Sequence, residues 1–327
     1  MQLKSSRWPL ILLGIFLVAS HAMAVDAPAS ANVAARQELL KNAQRILFLG
    51  DSITAGGGYV VDFEAWRVLR RDAEPRPILN MGLASETTSG LSEDGHAGGK
   101  FPRPDLFERL DRVLALAKPD LVFACYGMND GIYEPLVEAR FAKYREGMTK
   151  LKAAVENAGA KFIAITPPFY DAQKHRDKEF YDGVLAKYAE WLNERASQDG
   201  WQVIDLHTPM ANEVAERRKT QPNFGFAGDG VHPNKEGHWF IARQLIAWFG
   251  DQKSAAASTS QEMLSLNQAP DKLAGLVAKR SQILRDAYVA KAGHKRPGVA
   301  KGLPVEEADR QAAELTEQIK SLLATKK

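Results

Sequence analysis

The 327-residue sequence contains one cysteine, Cys125, which excludes an intramolecular disulfide and any metal site built on several thiolates. Cys125 lies in the apolar run 121–126, which reads as a buried strand where a small hydrophobe is its plainer role. Beyond residue 24 there is no apolar stretch of about 20 residues, so no later segment is expected to span a bilayer. An excess of charge of one sign is missing too. The formal net charge is +3, with two basic and no acidic residues in 1–24 and 13 basic against 9 acidic residues in 251–327. The 25–250 body is therefore left at −3, a balance that does not suggest nucleic acid. No group of His, Asp and Glu has metal-ligand spacing, since Asp229 and His232 supply two ligands at most. Residues 95–101 superficially resemble a phosphate-binding loop but lack its glycine spacing and the Ser/Thr after Lys100. No cofactor is expected.

What is present begins with a secretory pattern over residues 1–24. Lys4 and Arg7 precede the apolar run 8–18, and Ala22-Met23-Ala24 fits a small-x-small cleavage site. A secreted or periplasmic destination follows, with no membrane association after cleavage. Residues 25–44 read as a leader, Ala- and Ser-rich and loosely held over 25–40.

From there, short apolar runs alternate with helical periodicity. Strands are expected at 45–49, 77–81, 121–126, 162–165 and 203–206. Helices are expected at 63–71, 105–117, 136–158, about 178–198 and 238–249. This alternation predicts an α/β domain over 45–250, its mainly parallel sheet covered by helices on both faces. Residues 255–260 form a small-residue linker into a C-terminal helical extension, 251–327. Leu273, Leu276, Val277, Leu284 and Tyr288 mark one of its helices, and Ala308, Ala312, Leu315, Ile319 and Leu322 another. The extension reads as a helical pair packed on the sheet domain. Its basic run His294-Lys295-Arg296-Pro297 could instead bind an anionic polymer or cover a site.

Chemistry-bearing residues gather where strands end, which is where ligands bind in an open α/β sheet. After 45–49 the chain presents Gly50-Asp51-Ser52. Ser52 can act as a nucleophile if a general base takes its proton. Of the seven histidines, His232 has the most suitable neighbourhood, because Asp229 lies three residues earlier in a turn and can orient its ring. Candidate donors for an oxyanion are the Ser52 and Gly82 backbone N–H groups and the Asn129 side-chain amide. Each residue has a plainer role open to it: Asp51 and Ser52 as helix caps, Gly82 in a tight turn, Asn129 as a cap and Asp229-Gly230 as a turn pair.

Gly50-Asp51-Ser52-Ile53, Gly82, Gly127-Met128-Asn129-Asp130 and Asp229-Gly230-Val231-His232-Pro233 stand in the order found in the SGNH hydrolases. The chain thus resembles this family, also called the GDSL esterase/lipase family, over residues 45–250. The resemblance implies a three-layer α/β/α, flavodoxin-like fold. It also implies a Ser52–His232–Asp229 triad and an oxyanion hole of Ser52, Gly82 and Asn129. Asp51, Asp130 and His96 are possible supporting residues; no metal is implied. Ile53 replaces the leucine of the family name. Ala84 and Ser85 replace a second small glycine turn.

The function implied is hydrolysis of carboxylic esters. The polar loop 83–104, with Glu86, Asp94, His96 and Lys100, offers hydrogen-bonding groups rather than an apolar acyl channel. Deacetylation of a carbohydrate is therefore expected, with a small-molecule or polysaccharide ester as substrate. A lysophospholipase, lipase or thioesterase with the same residues is the alternative. A non-catalytic carbohydrate-binding protein on this fold would not need the triad.

Overall fold

The apolar runs near 46, 121 and 162 form the middle of one sheet because helices on both faces leave them no contact with water. In the computed structural model, which describes residues 27–70 and 74–324, the chain starts with α1 (Ala27–Asn42), β1 (Ile46–Gly50), α2 (Ser52–Gly56), α3 (Gly58–Leu69) and β2 (Ile78–Asn80). The single turn α4 (His96–Gly99), α5 (Leu110–Ala117), β3 (Leu121–Cys125), α6 (Glu138–Asn157) and β4 (Lys161–Ile165) follow. Next come α7 (Tyr181–Asp199), β5 (Gln202–Ile204), α8 (His207–Arg218) and α9 (Lys235–Trp248). The C-terminal part comprises α10 (Gln252–Ala255), α11 (Ser260–Leu266), α12 (Leu273–Ala292) and α13 (Val305–Ala324).

All four strand pairings are parallel, and the order is β2-β1-β3-β4-β5. Helices flank the sheet in a three-layer α/β/α arrangement of flavodoxin-like topology. From β1 the chain moves outward to β2, then returns to the other side of β1 as β3. The carboxyl ends of β1 and β3 therefore border the crevice where ligands bind in such sheets. The sheet centre is aromatic: Phe48 of β1 stacks on Phe123 of β3 with ring centroids 4.6 Å apart. Phe63 packs edge-on against both, and Phe249 reaches Phe63 from just beyond α9.

Several expectations are corrected. The supposedly loose leader is the helix α1, whose Leu40 is buried in the core. Arg36 lies over the Trp248 ring, and the Gln37 side-chain amide donates to the Phe249 carbonyl at 3.0 Å. The helix expected from 105 is instead a 3-10 turn (Leu106–Glu108) capped by Asp105, then α5. The break falls at Arg109, which turns inward to Glu86. α8 was not anticipated; it buries only His207, Met210 and Val214, too few positions for a clear period. Within the expected linker, Thr259 caps α11 by accepting from the Glu262 N–H. The secretory pattern of 1–24 lies outside the described residues.

Candidate active site

β1 ends at Gly50, where a side chain is sterically impossible: a Cβ would lie 2.1 Å from Thr54 Oγ1 and 2.7 Å from the Cys125 carbonyl. The chain then turns sharply into α2. Asp51 caps this helix, accepting from the Ile53 N–H at 2.9 Å, and Ser52 is its first residue. Asp51 is buried, and that burial pushes its carboxyl up to about 7 against the pull of the Ile53 N–H.

The second part of the site comes from far along the chain. The Asp229–His232 segment precedes α9, whose N-terminus is capped by Asn234. Asp229 Oδ1 accepts the N–H groups of Val231 and His232 at 3.0 and 2.8 Å. Its Oδ2 lies 2.6 Å from His232 Nδ1, and His232 Nε2 lies 2.8 Å from Ser52 Oγ. Partial burial would raise the Asp229 carboxyl, but the hydrogen bonds from the His232 ring and the two N–H groups hold it at about 2. An ionised carboxylate only accepts, so Nδ1 carries the proton and Nε2 is left to accept from the Ser52 hydroxyl. Both Asp229 and His232 side chains are 53% exposed, so this relay opens directly to solvent. The turn is braced from behind. The Asp171 N–H donates to the Gly230 carbonyl at 2.9 Å, Asp171 accepts from Arg218 at 2.7 Å, and His175 Nε2 lies 2.7 Å from the Asp229 carbonyl.

The expected oxyanion donors are placed differently from one another. Ser52 stands at the N-terminus of α2, where backbone N–H groups have no helical acceptor. Asn129, nearly buried beyond β3, donates from Nδ2 to the Glu86 carbonyl at 3.3 Å, leaving its second amide hydrogen. Gly82 is engaged differently. Its N–H is committed to Asn80 Oδ1 at 3.0 Å, and its missing Cβ makes room for the backbone of Ala55, 2.6 Å away. Gly82 thus serves close packing against α2. A further backbone N–H that the sequence did not single out lies three residues on. Leu83 to Glu86 form a turn closed by the Glu86 N–H on the Leu83 carbonyl. Ser85 takes φ +69° there, the third turn position that usually demands glycine. This turn is pinned to the Gly50 carbonyl through the Leu83 N–H and to Asn129 through the Glu86 carbonyl. The Ser85 N–H meets no acceptor among the described residues. Its positive φ in a non-glycine residue marks it in the structure, and in the sequence it falls where Ala84 and Ser85 stand in place of a second glycine turn.

Of the supporting candidates, Asp130 is fully buried and organises the loop: its Oδ1 accepts from the Thr88 N–H and hydroxyl and the Ser89 N–H at 2.7, 2.9 and 2.7 Å. His96 is engaged elsewhere, with Nδ1 3.1 Å from Glu93 and its ring edge-on to Phe101. Glu86, expected to face a ligand, is instead fully buried. It accepts from Arg109 Nε and Nη2 at 2.6 and 2.8 Å and from the Tyr126 hydroxyl at 2.6 Å. These partners lie 23 and 40 residues away, so no local pattern announces them.

The model of the GDSL-like Lipase/Acylhydrolase family matches residues 48–240, more than half of the chain. The chain belongs to this family. It is a hydrolase of carboxylic esters. No curated protein matches its sequence. Solved structures similar to this GDSL-like acylhydrolase include a gut microbial diltiazem-metabolizing enzyme, 22% identical with a TM-score of 0.48, of which 46% is covered by 63% of this chain. The chain thus spans under half the length of that enzyme. Another is an acetylxylan esterase from Geobacillus stearothermophilus, 20% identical with a TM-score of 0.49, covering 64% of this chain and 96% of its own. A third is an acetyl xylan esterase, AlAXEase, at 18% identity and 0.49, covering 62% and 98%.

Proposed function

We propose that this acylhydrolase is an exported serine esterase that removes acetyl groups from a carbohydrate. The observation that carries the mechanism is the continuous relay of 2.8 and 2.6 Å from Ser52 Oγ through the His232 ring to Asp229. Ser52 Oγ attacks the ester carbonyl carbon while His232 Nε2 takes the hydroxyl proton. The carbonyl oxygen becomes an oxyanion, stabilised by the Ser52 N–H, the Asn129 amide and the Ser85 N–H, which replaces Gly82 in this role. As the intermediate collapses, His232 returns the proton to the leaving sugar oxygen and an acetyl-serine remains. Water then attacks this ester with His232 again as base, releasing acetate and restoring Ser52. Asp229 stays ionised throughout and stabilises the imidazolium.

The preference for a small acyl group on a large alcohol rests on the half-exposed relay. A surface-open serine can meet an ester on a bulky polymer without threading it into a tunnel. Export rests on the residues 1–24 pattern; no helix among the described residues is long and apolar enough to cross a membrane. One observation favours a second reading, hydrolysis of lipid esters. Leu136, Val137 and Phe180 are exposed, and Lys178 pairs with Glu134 at 3.6 Å, drawing their two segments together. His175 in the second segment touches the Asp229 turn, so these exposed apolar side chains lie on segments joined to that turn.

The test is hydrolysis of 4-nitrophenyl acetate, butyrate and octanoate and of acetylated oligosaccharides by wild type and Ser52→Ala. The acetylesterase reading expects preference for acetyl esters and a loss of about 10⁴-fold or more in the variant. A preference for octanoate would transfer the assignment to lipid esters. Equal rates in wild type and variant would overturn the serine mechanism.

A further inference from the structure

α2 is only five residues long, too short to be stable by itself, yet it must hold Ser52 Oγ within hydrogen-bond distance of a ring from another segment. Its terminal carbonyls lack helical partners, and two of them are satisfied by groups beyond the helix. The Thr54 carbonyl accepts from Asn80 Nδ2 at 2.6 Å and from the Gly57 N–H at 3.0 Å. The Ala55 carbonyl accepts from the Nη1 of Arg285. Asn80 is local to the family region. Arg285 is not: it belongs to α12, beyond the matched residues 48–240.

The guanidinium is held ready for this contact. Asp286 Oδ1 accepts from Arg285 Nε and Nη2 at 3.1 and 2.8 Å, which leaves Nη1 for Ala55. One and a half turns earlier on α12, Arg280 is fully buried. Its Nη2 donates to Glu64 of α3 at 2.6 Å, and its Nη1 to the Pro75 carbonyl at 2.8 Å and the Thr316 hydroxyl at 2.7 Å. α12 is therefore bolted to α3 by Arg280 and reaches α2 by Arg285. A cation at the C-terminal end of α2 also complements the partial negative charge of its carbonyls.

We propose that Arg285 is a positioning residue of the esterase, acting through the Ala55 carbonyl to fix the helix that carries Ser52, so that the C-terminal extension is part of the catalytic apparatus. This rests on Ser52 being the nucleophile. Displacing a reacting atom by about 1 Å can cost up to about 100-fold in rate, so a loosened α2 slows attack without weakening substrate binding.

The test compares full-length wild type, Arg285→Met, Arg285→Lys and a control, Arg112→Met. Arg112 donates to the Ala292 carbonyl at 2.6 Å at the far end of α12, and among the described residues none of its hydrogen bonds reaches α2. Two readouts are taken well below each thermal midpoint: kcat and KM on 4-nitrophenyl acetate, and the rate at which a small fluorophosphonate labels Ser52. Arg285→Met is expected to lower kcat and the labelling rate together by about tenfold, with KM within about twofold. Arg285→Lys restores part of both rates, because its ammonium can still reach the carbonyl. Arg112→Met lowers the thermal midpoint and leaves labelling unchanged. If Arg285→Met does not fold, Arg285→Gln carries the same expectation. A folded Arg285→Met or Arg285→Gln labelled at the wild-type rate overturns the proposal. Wild type that is not labelled at Ser52 overturns instead the nucleophile assignment beneath it.

Discussion

Asp51 and Asp229 both feel the charge of His232, yet their surroundings drive their carboxyls in opposite directions. Asp229 is half exposed and saturated with donors, and it is held at about 2 despite its partial burial. Asp51 is buried with a single N–H donor and is pushed up to about 7. An unfolded aspartate titrates near 3.9, so the folded state binds the Asp51 proton more tightly than the unfolded state does. The associated stability is complete below about pH 4 and is lost as pH rises to about 7, beyond which it changes no further. Asp51→Asn keeps an oxygen for the Ile53 N–H and removes the titration. Calorimetry from pH 4 to 9 should show the variant gaining on wild type between pH 4 and 7, with a constant gap above 7. Parallel midpoint curves would refute the assignment. Asp229 contributes with the opposite sign: its stability is present above about pH 4 and is lost as pH falls toward 2. Since it is half exposed, solvent screening keeps that contribution small.

At the scale of elements, the sheet is the part that sequence reveals. Continuous apolar runs such as 46–49 and 121–125 can only be strands buried on both faces, and β1, β3 and β4 lie close to their expected positions. The places of Ser52, Asp229 and His232 were legible for a related reason: strand ends are fixed by the runs that precede them, and Asp229 and His232 are three residues apart. What sequence hides is who meets whom across the fold. The Gly82 N–H is taken by one side chain, Asn80, while the Ser85 N–H three residues on meets no acceptor among the described residues. Glu64 and Arg280 form a fully buried pair across 216 residues, and nothing local foreshadows it. That pair gives an element-scale prediction. Arg280→Met strands a carboxylate inside the α3–α12 contact and should cost about 3–5 kcal/mol in urea unfolding. Pairing it with Glu64→Leu removes the stranded charge and should recover most of the loss. A double variant no more stable than the single one would show that α12 docks without help from this pair.

At the scale of the whole molecule, the site is assembled from distant pieces with no covalent tie between them. Ser52 follows β1, the Ser85 turn follows β2, Asn129 follows β3, and His232 precedes α9. Their alignment depends on the sheet, and the helix bearing Ser52 depends in turn on α12. α12 packs across α3, β2 and α5, and Val277, Val289 and Ala292 of α12 join the same core as Phe48 and Phe123. Folding the sheet domain without this helix would expose that core and leave Glu64 without its cation. The chain should therefore unfold in one cooperative step, with the calorimetric enthalpy equal to the van't Hoff enthalpy. Fluorophosphonate labelling of Ser52 should vanish over the same temperature interval as the loss of helical signal. Two separated transitions, the first removing helix while Ser52 remains reactive, would mean that the C-terminal helices fold apart from the helix that carries Ser52.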